Sequence, residues 1–245
     1  SDMLGQLIEA GANVFRLNMS HSKHDWVREV VFRIRRKAAE LEANVAILFD
    51  LQGPSIRTGD LAEPYHLKKG DTVEIRLGTA KPELPFSTTV NYDGLLQDVQ
   101  AGHTMVVDNG GILMRIAEVR PDRLICDVLT EGVFGSRRHI NLPGVALRLP
   151  ALTEKDLADL AVAVECETDY VAMSFVRDAA HIAQLREHID NLGGKAQIVA
   201  KIEDQQAVRH IDDIILAADV IMVARGDLGI EVSIEELPII QRRIV

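Results

Sequence analysis

The sequence has few cysteines, few aromatic residues and no long apolar run. Its only two cysteines, Cys126 and Cys166, do not form a CxxC pair, which excludes a disulfide framework and a cysteine-built zinc site. No apolar stretch approaches the roughly 18 residues that a membrane helix needs, and no signal peptide precedes the first helix-like segment. We therefore expect a cytoplasmic protein without a membrane partner.

Basic charge is also scarce. The 27 lysines and arginines are outnumbered by 37 aspartates and glutamates, and the formal net charge is −10. Because a nucleic-acid-binding surface needs a basic patch, this balance argues against nucleic acid and favours small molecules as partners. Hydrophobic residues make up 47% of the chain and charged residues 26%, which is typical of a globular protein.

Short apolar segments alternate with amphipathic helical patterns at both ends of the chain. The segments are rich in β-branched residues, which is typical of buried parallel strands; they are 14–18, 45–50, 170–174, 197–201 and 220–223. The predicted helices are 25–41, 154–166, 179–192 and 205–216. This alternation predicts an α/β fold with a parallel sheet.

The middle of the chain, from about Thr58 to Leu147, has a different pattern. Short alternating stretches are separated by Gly, Pro, Asn and Asp, which predicts strands and turns. The clearest stretches are 72–77, 104–107, 112–119 and 124–129. We therefore predict an inserted all-β domain over 58–147, between a first α/β part over 1–57 and a second over 148–245.

Polar residues end the first strand at alternate positions. Arg16, Asn18 and Ser20 point to one side if the strand stays extended through all three. In a parallel α/β barrel, the strand ends and the loops after them build the site. An arginine beside two neutral oxygens suits an anionic ligand or a hard cation. An ordinary half-exposed strand is the alternative interpretation.

Lys201, Glu203 and Asp227 are also polar residues that stand at the ends of predicted strands, later in the chain. One helix and one strand separate Glu203 from Asp227, so both carboxylates should end neighbouring strands, where they can hold Mg²⁺. Gly226 would let a backbone amide approach an anionic substrate. The alternative for Lys201 is an ion pair with a neighbouring acid. We favour ligand binding, because an ammonium on an otherwise buried strand needs compensation.

Two arginines of the middle region are further candidates. Arg57 stands at its start, and Arg138 lies in the basic turn 135–138. On its own such a turn is usually a solvated loop. If the inserted domain folds over the strand ends as a lid, both arginines would face a phosphate chain.

Together these residues resemble the pyruvate kinase family. The resembling stretches occur in the family's order and cover essentially the whole chain. They are GANVFRLNMSHS (11–22), FDLQGPSIRTG (49–59), VDNG (107–110), GSRRHINLPG (135–144), LTEKD (152–156), SFVR (174–177), AKIE (200–203) and MVARGDLGIE (222–231). The segments NMSHS and MVARGDLGIE are highly specific to the family.

The resemblance implies strands two to six of a (β/α)8 TIM barrel, with a barrel-like all-β domain inserted after the third strand. It implies a homotetrameric parent enzyme, a phosphotransferase that moves the phosphoryl group of phosphoenolpyruvate to ADP, giving pyruvate and ATP in the last step of glycolysis. The implied cofactors are Mg²⁺ or Mn²⁺, and usually K⁺.

The resemblance also assigns roles to individual residues. They are Lys201 and Arg16 in catalysis; Lys201, Gly226 and Asp227 in substrate binding; Glu203 and Asp227 for Mg²⁺; Asn18, Ser20 and Asp50 for K⁺; and Arg16, Asn18, His21, Arg57 and Arg138 in cofactor and nucleotide binding.

The chain departs from the family pattern in two respects. Leu51 and Gln52 stand where many potassium-dependent members have Thr-Lys, and Ser55 replaces a glutamate or lysine linked to potassium use, so the potassium requirement stays open. The chain also lacks the family's first barrel strand and everything after the start of the sixth strand's helix. About 155 residues lie outside the insert, against roughly 250 in a complete barrel.

Two other hypotheses remain. The chain is an inactive truncated fragment or a pseudoenzyme that retains magnesium or phosphate binding, which we expect of the isolated 245 residues. Alternatively, the parent is a magnesium-dependent lyase of pyruvate enolates, since such barrels also use a Glu/Asp pair on the metal. A lyase does not need an ADP lid, so nucleotide-dependent turnover distinguishes it from a kinase.

Overall fold

The computed structural model describes residues 2–245, and the chain divides into two compact units. The first unit contains the residues up to 54, residues 150–202 and residues 209–223; the second contains residues 55–149, 203–208 and 224–245. The helices and strands, in chain order, are α1 (Asp2–Glu9), β1 (Val14–Asn18), α2 (His24–Glu40), β2 (Ala46–Asp50), β3 (Tyr65–Leu67), β4 (Thr72–Arg76), β5 (Phe86–Thr89), α3 (Leu95–Asp98), β6 (Thr104–Val107), β7 (Ile112–Val119), β8 (Arg123–Val128), β9 (Gly132–Phe134), β10 (Ile140–Asn141), α4 (Glu154–Glu165), β11 (Tyr170–Met173), α5 (Ala179–Asn191), β12 (Gln197–Ile202), α6 (Gln205–Arg209), α7 (Ile211–Ala217), β13 (Val220–Val223), α8 (Arg225–Glu231) and α9 (Leu237–Ile244).

The first unit is built on a five-stranded parallel sheet with the order β1-β2-β11-β12-β13. The strands lie side by side in chain order and never reverse, as in a barrel and unlike a doubly wound sheet. The helices follow the same order, since α2 packs against α4, α4 against α5, and α5 against α7. This arrangement confirms the predicted α/β class and is that of half a barrel.

Helix α2 illustrates how the sequence forms this unit. Its buried residues, Val27, Val31, Ile34 and Ala38, recur at intervals of three and four and so form one stripe along the helix. Helix α4 starts with a capping box, in which the Thr153 hydroxyl and the Asp156 carboxylate bond reciprocally to backbone amides.

The predicted single helix over 205–216 is wrong. The structure has α6 and α7 instead, separated at His210, whose backbone angles (φ −103°, ψ 19°) are not helical. The ring nitrogen Nδ1 of His210 lies 3.0 Å from the carbonyl oxygen of Arg177, a contact that fixes the residue at the interruption.

The second unit contains a six-stranded sheet, β10-β6-β7-β8-β4-β5, and the two-stranded sheet β3-β9. All neighbours are antiparallel except β4 and β5. Alternate strand residues such as Val73, Ile75, Met114 and Ile116 fill its core. The short helix α3 departs from the all-β description. The predicted boundaries of the inserted domain, after Arg57 and after Leu147, stay predictions, as does the prediction that its strands form a barrel-like structure.

None of the helices formed by residues 2–245 combines the length and the apolar composition that crossing a membrane requires.

Candidate active site

Four side chains meet at the carboxyl ends of neighbouring strands in the first unit. Arg16 lies on β1, Asp50 ends β2, Ser174 follows β11 and Lys201 lies on β12. The Arg16 Nε donates to Asp50 Oδ2 at 2.6 Å, and Lys201 Nζ lies 3.2 Å from Asp50 Oδ1. Lys201 Nζ also donates to the Ser174 hydroxyl at 2.7 Å. We call these four residues the strand-end cluster.

The strand-end cluster holds two cations against one carboxylate. Asp50 is buried, and the Lys201 side chain is only 12% exposed, whereas that of Arg16 is 54% exposed. Lys201 therefore forms an ion pair with Asp50, which is the alternative that the sequence left open for this residue. Arg16 shares that carboxylate, so two cationic side chains contact one carboxylate within the cluster, and cationic side chains at strand ends suit an anionic ligand.

Ser174 is the member that sequence reasoning did not single out. Its hydroxyl donates to the carbonyl oxygen of Leu51 at 2.7 Å while accepting from Lys201. Both functions of the hydroxyl are thus used in a buried position. Its place at the carboxyl end of a strand, next to those of the other members, was the available signal.

The loop after β2 packs closely on Ser174. Gly53 has a left-handed backbone (φ +69°), and a Cβ there would lie 2.9 Å from Phe175 Cδ2 and 3.0 Å from Ser174 Cβ. Only glycine combines this backbone with this approach. The Gly53 amide donates to Asp156 Oδ1 at 3.0 Å, which fixes the loop to α4.

The first strand has its predicted bounds, Val14–Asn18, so the condition that it stays extended through Ser20 is not met. The Asn18 side-chain oxygen accepts the Ser20 amide at 3.0 Å and so turns the chain. Arg16 and Asn18 are exposed while Leu17 is buried, as the alternation predicted. His21 is exposed in the following turn.

The second unit contains the two candidate arginines. Arg57 pairs with His139, and the Thr58 amide donates to the Arg138 carbonyl at 2.9 Å, so Arg57 and Arg138 lie on adjacent segments. Burial, reinforced by the Arg57 charge, lowers the pKa of His139. Arg138 Nη1 lies 3.3 Å from Asp108 Oδ1.

The second unit also contains the candidate carboxylates. Glu203 directly follows β12 in the chain and is buried. Asp227 lies in the first turn of α8. Burial, together with the negative charges of Asp204 and Asp227, raises the pKa of Glu231, at the end of the same helix, to about 7. This part of the unit therefore has an excess of negative charge.

The family model for the pyruvate kinase barrel domain matches residues 1–245. The chain belongs to the pyruvate kinase family. It is 38% identical over 247 residues to plastidial pyruvate kinase 2 of Arabidopsis thaliana, covering 100% of this chain and 42% of that protein. It is 38% identical to the pyruvate kinase of Clostridium perfringens and 37% identical to that of Mycobacterium tuberculosis, covering 100% of this chain and 52% of each. The chain thus spans about half the length of the curated relatives it matches.

The pyruvate kinase residues expected at the magnesium ion fit that ion by their chemistry. Glu203 and Asp227 supply carboxylate oxygens, which Mg²⁺ prefers, while the pKa of the neighbouring Glu231 is raised mainly by burial, with smaller contributions from the charges of Asp204 and Asp227. Within residues 2–245, no group of three or more His, Cys, Asp and Glu side chains could hold a metal by itself. Substrate oxygens and water would have to complete the shell.

The pyruvate kinase residues expected at a potassium ion do not fit it in this arrangement. Asp50 Oδ2 accepts from Arg16, and the Asn18 side-chain oxygen accepts from Ser20. Asp50 Oδ1 has no hydrogen bond but lies 3.2 Å from the Lys201 ammonium, whose charge opposes a second cation. The potassium site stays a prediction.

Proposed function

We propose that the whole protein is a pyruvate kinase that transfers the phosphoryl group of phosphoenolpyruvate to ADP. The observation that supports this most directly is the strand-end cluster, in which Lys201 and Arg16 share one buried carboxylate, in a chain that matches the family over its full length.

Lys201 and Arg16 stabilise the anion that reacts. When phosphoenolpyruvate binds, the Lys201 ammonium moves from Asp50 to the substrate and neutralises the phosphoryl group and the developing enolate oxygen. Arg16 contacts the phosphoryl oxygens through its planar guanidinium. The bond from phosphorus to the enol oxygen breaks, the terminal oxygen of ADP accepts the phosphoryl group, and the enolate carbon takes up a proton to give pyruvate.

The remaining candidates bind the substrates. Gly226 and Asp227 contact phosphoenolpyruvate or pyruvate, while Asn18, His21, Arg57 and Arg138 contact ADP or ATP. Ser20 and Asp50 stay candidates for a potassium site with Asn18. Glu203 and Asp227 would hold Mg²⁺ or Mn²⁺, which when bound neutralises phosphoryl charge. We further propose a homotetramer in the cytoplasm; the name of the Arabidopsis relative points to a plastid for that protein.

Substitution of Lys201 tests the proposal in the whole protein. We expect Lys201→Met to lower kcat by about 10²- to 10³-fold, because the ammonium acts on charge that develops in the transition state. The measurement is pyruvate formation, coupled to its reduction by NADH and lactate dehydrogenase.

Lys195→Met is the matched control, since Lys195 is exposed just before β12. It should retain the kcat of the unmodified protein. Full activity of Lys201→Met would refute the assignment of Lys201, and turnover of phosphoenolpyruvate without ADP would refute the kinase.

A further inference from the structure

A buried carboxylate outside the strand-end cluster joins two helices. Asp159 lies on α4 and its side chain has no solvent exposure. Its Oδ1 lies 2.7 Å from His24 Nε2, at the start of α2, and its Oδ2 accepts from Lys155 Nζ at 2.6 Å. A buried carboxylate with charge-assisted partners on both oxygens is held firmly in place.

The Lys155 ammonium continues this contact to the loop after β1. Lys155 Nζ donates to the carbonyl oxygen of Met19 at 2.7 Å. The Met19 amide in turn donates to the carbonyl oxygen of Asp50 at 3.0 Å. The buried Met19 is thereby fixed on both sides of its backbone, between Asn18 and Ser20.

The same end of α4 also holds the loop after β2. Asp156, one turn before Asp159, is fully buried and accepts the Gly53 amide with one oxygen. Its other oxygen accepts the amide and hydroxyl of Thr153. Two loops that leave the strand-end cluster are therefore held by three charged residues within two turns of one helix.

We propose that Lys155, Asp156 and Asp159 are positioning residues, which we call the α4 brace, that hold the loops after β1 and β2 in the geometry needed for phosphoryl transfer. None of the three belongs to the strand-end cluster. The α4 brace acts through the backbones of Met19 and Gly53, and so on the placement of Arg16 and Asp50. This inference rests on the proposed kinase function.

Substitution of Lys155 in the whole protein tests the α4 brace. Lys155→Met keeps the length of the side chain and removes the ammonium that binds Met19. We expect kcat to fall by about 10- to 100-fold, since a small displacement of reacting groups has effects of that size. Lys155→Arg restores a donor and should recover most of kcat. Lys37→Met, which removes only an exposed pair with Glu40, should leave kcat unchanged.

Hydrogen exchange measured by mass spectrometry provides a readout that does not depend on activity. Lys155→Met should speed exchange in the peptide over 18–22, where the Met19 and Ser20 amides are bonded. Exchange in α5, whose Ile182, Leu185 and Ile189 are buried, should not change. Equal acceleration in both peptides, or normal kcat and normal exchange, overturns the α4 brace.

Two further outcomes are decided by the same measurements. If Lys155→Met does not fold, His24→Ala removes a partner of Asp159 from a partly exposed position; faster exchange over 18–22 then supports the α4 brace, and unchanged exchange overturns it. If the unmodified protein does not turn over phosphoenolpyruvate with ADP, the proposed function fails, and the exchange comparison still decides whether the α4 brace holds the loops.

Discussion

Lys201 keeps its ammonium close to two oxygens, the Asp50 carboxylate and the Ser174 hydroxyl. Both contacts hold the ammonium at the strand ends. The arrangement orients Lys201 before a substrate arrives and leaves it able to exchange partners. At this scale the sequence was informative for Arg16, Asp50 and Lys201, since each lies on a recognisable strand.

Ser174 was not predictable in the same way. A serine after a strand is common, and only the folded chain places its hydroxyl between Lys201 and Leu51. The course of the chain after Asn18 was equally hidden, because the side-chain bond to the Ser20 amide competes with an extended backbone.

Removal of the Ser174 hydroxyl should weaken catalysis. We expect Ser174→Ala to lower kcat by about tenfold, corresponding to roughly 1.4 kcal/mol, because Lys201 loses a charge-assisted bond. Steady-state kinetics of the whole protein measure this effect. Ser233→Ala removes an exposed hydroxyl that bonds Glu236 and should have no effect; equal kcat values for the two variants would contradict the role of Ser174.

Helix α8 contains Asp227, which was predicted to end a strand. The structure instead has a helix over Arg225–Glu231. Other elements escaped prediction for a similar local reason. Strands β3, β9 and β10 have two or three residues each, too few to show an alternating pattern, and their existence depends on partners distant in sequence.

Substitution of Gly226 distinguishes a structural requirement for glycine from a functional one. Among the described residues, no atom lies within 4 Å of the place where a Cβ would stand, and its φ is not left-handed. We expect Gly226→Ala to preserve stability or to raise it by up to about 1 kcal/mol, because alanine favours helix. It should still lower kcat/KM for phosphoenolpyruvate, by roughly tenfold, if the substrate approaches that amide.

Thermal unfolding and steady-state kinetics of Gly226→Ala check both expectations. Gly229→Ala is the control in the same helix, where the Cβ would make an ordinary contact of 3.4 Å with Leu237. A Gly226→Ala protein with unchanged kcat/KM would show that the close approach does not occur.

The whole molecule has a net charge of −10, yet its charges are not evenly distributed. The strand-end cluster has a local positive excess, while Asp204, Asp227 and Glu231 form an acidic group in the second unit. Composition favours small-molecule partners, and this stays a prediction for the chain. Composition could not predict this separation, because the members of the strand-end cluster are distant in sequence from one another, as Asp204 is from Asp227 and Glu231.

The acidic group should make stability depend on pH. The pKa of Glu231 is raised from its ordinary value of 4.5 to about 7, so the folded state binds the proton more tightly. This contribution is complete below about pH 4.5 and is lost as pH rises toward 7. At about 1.4 kcal/mol for each pH unit between those values, it is on the order of 3 kcal/mol.

Glu231→Gln should remove this pH dependence and be more stable than the unmodified protein at pH 8. Chemical unfolding of both proteins at several pH values, with a chelator present, measures the difference. Glu235→Gln replaces an exposed glutamate nearby and should keep the original pH dependence. A Glu231→Gln protein whose stability still falls between pH 4.5 and 7 would contradict the prediction.

The neighbours β2 and β11 are separated in the chain by residues 51–169, which include the segment 55–149 of the second unit. While that segment is unfolded, their parallel pairing must close a long flexible loop, and each doubling of loop length costs about 0.6 kcal/mol. Formation of the antiparallel sheet from nearer strands shortens the flexible part first. We therefore expect the antiparallel sheet to form earlier in folding, and the parallel sheet that holds Lys201 and Asp50 to form later.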